Sequence, residues 1–177
     1  MTIIRIDVRS EEASRLLDEM QRRTGDLNPV LKGIGDILVS STQQRFVDQK
    51  GPDGNPWAAL SPVTLARRRG GGIGANILRD TGRLASSVNY KVSGGSIDLG
   101  TNVIYAGTHQ YGARKGAYGK TKRNSPIPWG DIPARPMFGY SDQDQQDVLE
   151  LIERYLNASQ PPSWWQRFLA RFRRIFG

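Results

Sequence analysis

Apolar and polar residues alternate at the start of the chain. Thr2 to Val8 reads TIIRIDV, with Ile4, Ile6 and Val8 set against Arg5 and Asp7, the period-two pattern of a half-buried strand. The period then lengthens. Ser10 is placed to cap a helix, Glu11 and Glu12 fall in its first turn, and Ala13, Leu16, Leu17 and Met20 recur at helical spacing. Thr24, Gly25, Asn28 and Pro29 interrupt this pattern. A second helix is predicted from about Pro29 to Asp48, because proline suits a first helical position and Val30, Leu31, Ile34, Ile37, Leu38 and Phe46 share one face. Gly33 and Gly35 each cost such a helix about 1 kcal/mol relative to alanine, which close packing against a neighbour would justify.

Turn-forming residues punctuate the rest. GPDGNP at Gly51 to Pro56 is a strong turn signal, and Ser61-Pro62 opens a short basic helix running through Arg67, Arg68 and Arg69. ILRDTGRLASS, from Ile77 to Ser87, reads as a turn and a short helix. VNYKV and SIDLG, on either side of Gly94-Gly95, read as a hairpin, and Val103, Ile104 and Tyr105 carry the apolar pattern on towards His109. Gly112 to Ser125 holds Arg114, Lys115, Lys120, Lys122 and Arg123 with no acidic residue, and is read as an exposed, mobile loop. Pro126 to Pro136 contains four prolines and is read as extended. Ser141 caps a last helix with Asp142 and Asp144 in its first turn and Val148, Leu149, Ile152, Tyr155 and Leu156 on its buried face. Beyond it, Pro161-Pro162 marks a linker, and WWQRFLARFRRIFG repeats Trp165, Phe168, Leu169, Phe172, Ile175 and Phe176 at helical spacing among arginines. The organisation is therefore a domain over residues 1–156 and, over 157–177, a linker with a basic amphipathic helix.

Composition narrows the chemistry. Of 177 residues, 37% are hydrophobic, low for a compact domain, so part of the surface is expected to be buried only in an assembly. The net charge of +8 favours nucleic acid, anionic membrane or acidic protein partners without choosing among them. With no cysteine and a single histidine, His109, neither a disulfide nor a zinc cluster of the usual kind is expected, and no cofactor is assigned. The opening residues do not read as a secretory signal, and no apolar run approaches the roughly 20 residues needed to span a bilayer. The glycine run at Gly70 to Gly74 lacks the lysine and hydroxyl ending of a phosphate loop and has no apolar strand before it.

Four segments, in order, resemble the phage virion morphogenesis family, the tail-completion proteins of Mu-like and P2-like contractile-tailed phages. They are GPDGNPWAALSPVT (Gly51 to Thr64), ILRDTGRLASS (Ile77 to Ser87), GTNVIYAGTHQYG (Gly100 to Gly112) and IPARPMFGYS (Ile132 to Ser141). The resemblance covers roughly Ile3 to Leu156. It implies an α+β fold with a small, mostly antiparallel sheet packed by helices. It also implies a structural, non-enzymatic virion subunit that forms a ring, hexameric where the tail is six-fold, at the head-proximal end of the tail or in the neck, bound to other tail and neck proteins. It carries no catalytic residues, and the terminal helix lies outside it.

Within that frame the candidate contacts can be named. In RDTGRL, Asp80 between Arg79 and Arg83 suits a salt bridge within or between subunits, while Asp80 or Thr81 also suits a helix cap. His109, expected at a strand end, has no partner motif for general-base chemistry, and Tyr105 and Tyr111 read as core or interface aromatics. Pro133 and Pro136 make a strut that docks the last helix, with Arg135 expected to pin a carboxylate and Met137 and Phe138 leading into that helix. The basic loop at Arg114 to Arg123 would contact lumenal DNA non-specifically, reach an acidic neighbour, or stay solvated until assembly. Trp164, Trp165, Phe168, Phe172 and Phe176 would enter a groove on a partner, in preference to lying on a membrane or on their own domain. A basic nucleic-acid-binding module is the competing function.

Overall fold

The computed structural model describes residues 2–4, 15, 17–18, 21–22, 26–67, 76–93 and 95–158. The first predicted strand is β1 (Thr2–Ile4), and Arg15, Leu17, Asp18, Gln21 and Arg22 are helical, within the first predicted helix. The long second helix is α1 (Asn28–Asp48). There follow α2 (Pro62–Arg67), α3 (Arg83–Ser86), β2 (Val88–Ser93), β3 (Ser96–Thr101), α4 (Ala106–Tyr111) and α5 (Asp142–Ala158). The strands form an antiparallel sheet in the order β1-β3-β2, so the fold is α+β. The glycine run, the linker and the terminal helix with Trp164, Trp165, Phe168, Phe172 and Phe176 lie outside the described residues.

Helix α1 is the centre of the packing. It meets β2 and β3 with one side and α5 with another. Its buried residues include Val30, Leu31, Ile34, Leu38 and Phe46, five of the six assigned from periodicity, and Ile37 packs at the edge of the same core. The two glycines explain how one helix serves both neighbours. A Cβ at Gly33 would lie 2.8 Å from Leu151 of α5, and a Cβ at Gly35 would lie 2.4 Å from the Tyr90 ring of β2. Two residues apart on a helix is about 200° of rotation, so the pair opens opposite faces for close approach.

Two expectations need correction. The apolar run after β3 does not continue as a strand. The Thr101 hydroxyl accepts a hydrogen bond from the Val103 amide at 3.1 Å, the Ala106 amide donates to the Val103 carbonyl at 3.1 Å, and the chain turns into α4. His109 therefore sits on a helix and not at a strand end. The basic stretch, expected as an exposed, mobile loop, is exposed, but its backbone is hydrogen-bonded. Its backbone pairs with the proline-containing segment that follows, through Ala113–Ile132 in both directions, Tyr118 to Ile127, Ile127 to Gly119 and Thr121 to Ser125, at 2.7–2.9 Å. Composition hid this arm because its stabilising bonds come from the backbone.

The packing at Gly35 yields a test. Gly35→Ala is expected to destabilise the protein by about 1–3 kcal/mol through overpacking against a rigid ring, although alanine is the better helix former. Gly33→Ala should cost less, because the Leu151 side chain can change rotamer. Urea denaturation of the two variants checks this; a stabilised Gly35→Ala would contradict the close approach.

Candidate assembly surface

The strut is held by side chains from three other parts of the chain. Pro133 and Pro136 have no amide to offer a sheet, so this extended segment depends on other partners. Arg45 of α1, only 6% exposed, donates from Nη1 to the carbonyls of Met137 and Gly139, both at 3.0 Å. Its Nη2 reaches Ser41 Oγ at 3.2 Å and forms an ion pair with Asp144, which is 1% exposed at the start of α5. Asp144 also accepts the Ser141 amide at 2.8 Å while Ser141 Oγ accepts the Asp144 amide at 3.2 Å, a reciprocal cap on α5. Gln110 of α4 accepts the amides of Met137 and Phe138 at 2.9 and 3.0 Å and donates to the Phe138 carbonyl at 2.9 Å. Trp57 donates to the Pro136 carbonyl at 2.9 Å and packs edge-on against Phe46.

Arg135 and Phe138 do not do what their sequence context suggested. Arg135 is buried, and its guanidinium donates to the Ala58 and Ala59 carbonyls at 2.7 and 2.9 Å, so it fixes the GPDGNPWAAL segment and, among the described residues, pins no carboxylate. Phe138 is 3% exposed within the chain's own core and has no surface left for another subunit. Arg45 and Asp144 are the pair that sequence reasoning missed. A signal for them existed: Arg45 continues the Leu31, Leu38 spacing of α1, and Asp144 precedes Val148, Ile152 and Leu156 at four-residue steps. Each apolar stripe thus carries one charge, and the two are opposite.

A cleft of about 430 Å³ gathers Leu60, Thr64, Asp80, Arg83, Tyr105, His109 and Arg135. It joins the first three resembling segments to the strut. The N-cap of α3 is Gly82, with no side-chain cap bond, so neither Asp80 nor Thr81 caps the helix; the Thr81 hydroxyl accepts the Arg83 amide at 3.4 Å in the turn before it. Arg79, Asp80 and Arg83 are exposed and form no ion pair with one another among the described residues. His109 stacks edge-on against Tyr105, and its Nδ1 is buried without a hydrogen-bond partner. Burial, and then the Arg135 charge, hold the imidazole below its ordinary pKa of 6.5. Among the described residues it shares the cleft with Asp80, Arg83 and Arg135 and packs on the Tyr105 ring. Among the described residues no group of side chains is arranged to hold a metal ion.

The outer face is unlike the core. Ile104 is 91% exposed, Tyr111 71%, Trp129 64% and Tyr118 56%. Tyr105 is also largely exposed, so Tyr105 and Tyr111 are not core aromatics. These residues sit on α4, on the turn before it and on the arm, and the Tyr118 hydroxyl bonds Thr108 of α4 at 2.7 Å, which ties the arm to that helix. Gly112 makes the junction possible: its φ is +74°, and a Cβ there would lie 2.8 Å from the Ile132 carbonyl oxygen. Along the arm, Arg114, Lys115, Lys120, Lys122 and Arg123 are exposed, and none forms an ion pair among the described residues.

Residues 8–157 match the phage virion morphogenesis family. The chain belongs to this family. It is 32% identical over 158 residues, 88% of this chain and 94% of the relative, to "Putative capsid assembly protein G" of Escherichia phage Mu. It is 28% identical over 155 residues, 86% of this chain and 96% of the relative, to "Mu-like prophage FluMu G protein 2" of Haemophilus influenzae. No solved structure matches. A structural or assembly role in the phage particle follows from family membership. The resembling segments have structural roles in this member: the first supplies Trp57 and the carbonyls that Arg135 holds, the third supplies Gln110, and the fourth is the strut itself.

Two measurements check the internal frame. Asp144→Ala strands Arg45 in the core and is expected to cost about 3–5 kcal/mol, whereas replacing both partners by apolar residues should recover most of that loss. Denaturation of the single and double variants decides it; equal losses would contradict the pairing. For His109, the unfolded chain binds a proton from about pH 6.5 downward while the native state resists it, so stability present above that pH is lost as the pH falls towards the lowered native value. Thermal melts of wild type and His109→Gln between about pH 7.5 and 5.5 should diverge, the wild type falling faster; parallel curves would contradict the reading.

Proposed function

We propose that this chain is a tail-completion or neck subunit that assembles as a ring, hexameric in a six-fold tail, at the head-proximal end of a phage tail, where it joins tail to head. The carrying observation is the exposed face of Ile104, Tyr111, Tyr118 and Trp129 on α4 and the arm. Large apolar side chains exposed on neighbouring elements are candidates for a contact surface. Aromatic residues are enriched in interfaces because they combine large area with few rotatable bonds. Family membership supports a virion-assembly role, and the name of the Mu relative speaks of capsid assembly. The mechanism is burial of surface between subunits, with no chemistry required of the chain.

Binding to nucleic acid is the competing reading, favoured by the unpaired cations of the arm. Phosphate contacts would use those charges and leave the aromatic face unexplained. A ring explains the face and leaves the charges free for a neighbour or for DNA in the lumen.

Replacing Tyr111 and Trp129 together by glutamate is expected to weaken self-association by about 100-fold or more, since aromatic anchors at an interface centre are worth about 2 kcal/mol or more each. Both side chains are exposed, so the circular dichroism spectrum should not change. Light scattering coupled to size exclusion measures the oligomer. Undiminished oligomerisation of the double variant would remove this face from the interface.

A further inference from the structure

A groove of about 670 Å³ runs between the C-terminal half of α1, the turn after it and the start of α5. Among the described residues its charged lining is four carboxylates, Asp36, Asp48, Asp144 and Asp147, against two cations, Arg45 and Lys50. Arg45 and Asp144 neutralise each other. Two of the other three carboxylates accept hydrogen bonds from neutral groups, Asp48 from Gln44 and Asp147 from Gln143. None of the three forms an ion pair among the described residues. Among the described residues the groove is therefore net acidic, with Lys50 its one cation outside the Arg45–Asp144 pair.

The basic arm is its complement. Five cations lie along it against one carboxylate, Asp131, whose Oδ1 already accepts the Lys115 amide at 2.7 Å. The arm cannot serve as the occupant of its own groove in this arrangement. Its backbone is bound to residues 125–132, its Tyr118 is bound to α4, and none of its residues lines the groove. Lys120, Lys122 and Arg123 flank or occupy the turn closed by Thr121 and Ser125, so the charge is concentrated at the tip.

We propose that the tip of the arm of one copy docks into the acidic groove of a second copy. This rests on the ring reading above and deepens it. Donor and acceptor are different surfaces of one chain, so the contact is heterologous, the type that closes into a ring when the rotation between copies is right. Charge complementarity fixes register and speeds encounter, while the aromatic face beside the arm supplies apolar area. The arm's backbone pairing holds the tip in shape before docking and reduces the ordering cost.

Charge reversal tests the pairing on the full chain. One variant carries Lys120→Glu, Lys122→Glu and Arg123→Glu; the other carries Asp48→Lys and Asp147→Lys. Each alone is expected to weaken self-association by about 100-fold, because like charges then face each other. An equimolar mixture should recover it, since the acidic arm of one variant meets the basic groove of the other, and recovery also shows that both variants fold. The neutral set Lys120→Gln, Lys122→Gln and Arg123→Gln should lie between wild type and reversal. Three outcomes overturn the inference while the ring reading stands: wild-type association in both reversed variants, failure of the mixture to recover, or loss in the groove variant alone. An arm variant that keeps its oligomer and loses only salt-sensitive retention of duplex DNA overturns it in favour of a lumenal DNA contact. A wild type that stays monomeric at every concentration contradicts the ring reading together with the inference.

Discussion

The fold depends on one buried ion pair. Arg45 and Asp144 bring α1, the strut and the N-terminus of α5 to a single point in the core. Burial lowers the Arg45 pKa and the Asp144 charge opposes that shift, the usual balance when a guanidinium is taken out of water beside its partner. Such a pair contributes little net stability compared with apolar residues of the same volume, because desolvation offsets most of the attraction. Its value here is directional. An apolar contact would let the strut slide, whereas two carbonyls at fixed distances from one guanidinium define where Met137 and Gly139 sit. The strut in turn positions Gln110, and through it α4, so the exposed face on α4 and the arm is indexed to the core by polar contacts.

Much of this was legible in the sequence. The periodicity of α1, the hairpin at Gly94-Gly95, the GPDGNP turn and the Ser141 cap all depend on local patterns that backbone sterics enforce. The two glycines of α1 were correctly read as close-packing positions, though their opposite facing needed the neighbours Leu151 and Tyr90. What escaped was non-local. Arg135 looked like a carboxylate partner because charge is what a sequence displays, yet its partners are the Ala58 and Ala59 carbonyls, which every residue type possesses. The arm looked unstructured because its order lies in backbone pairing across a polar, glycine-rich stretch. His109 was assigned to a strand end because Val103 to Tyr105 carry strand-like residues, and the turn made by Thr101 overrides them.

The surface divides into elements of different purpose. Arg79, Asp80 and Arg83 of the RDTGRL turn, the cations of the basic arm, Tyr111 and Trp129 are exposed, while Arg135, Met137 and Phe138 of the IPARPMF segment are buried. Resemblance at the strut is thus explained by folding, and that at the surface turn invites an explanation in assembly. The proposed ring would cover the large aromatic rings that this chain of low hydrophobic fraction leaves exposed.

An electron-microscopy map of the intact particle tests the central claim most directly. Copies of this chain are expected there as a closed ring at the head-proximal end of the tail or in the neck, with α4 and the arm of each copy facing the next. Copies scattered through the capsid, or none in the finished particle, would contradict it.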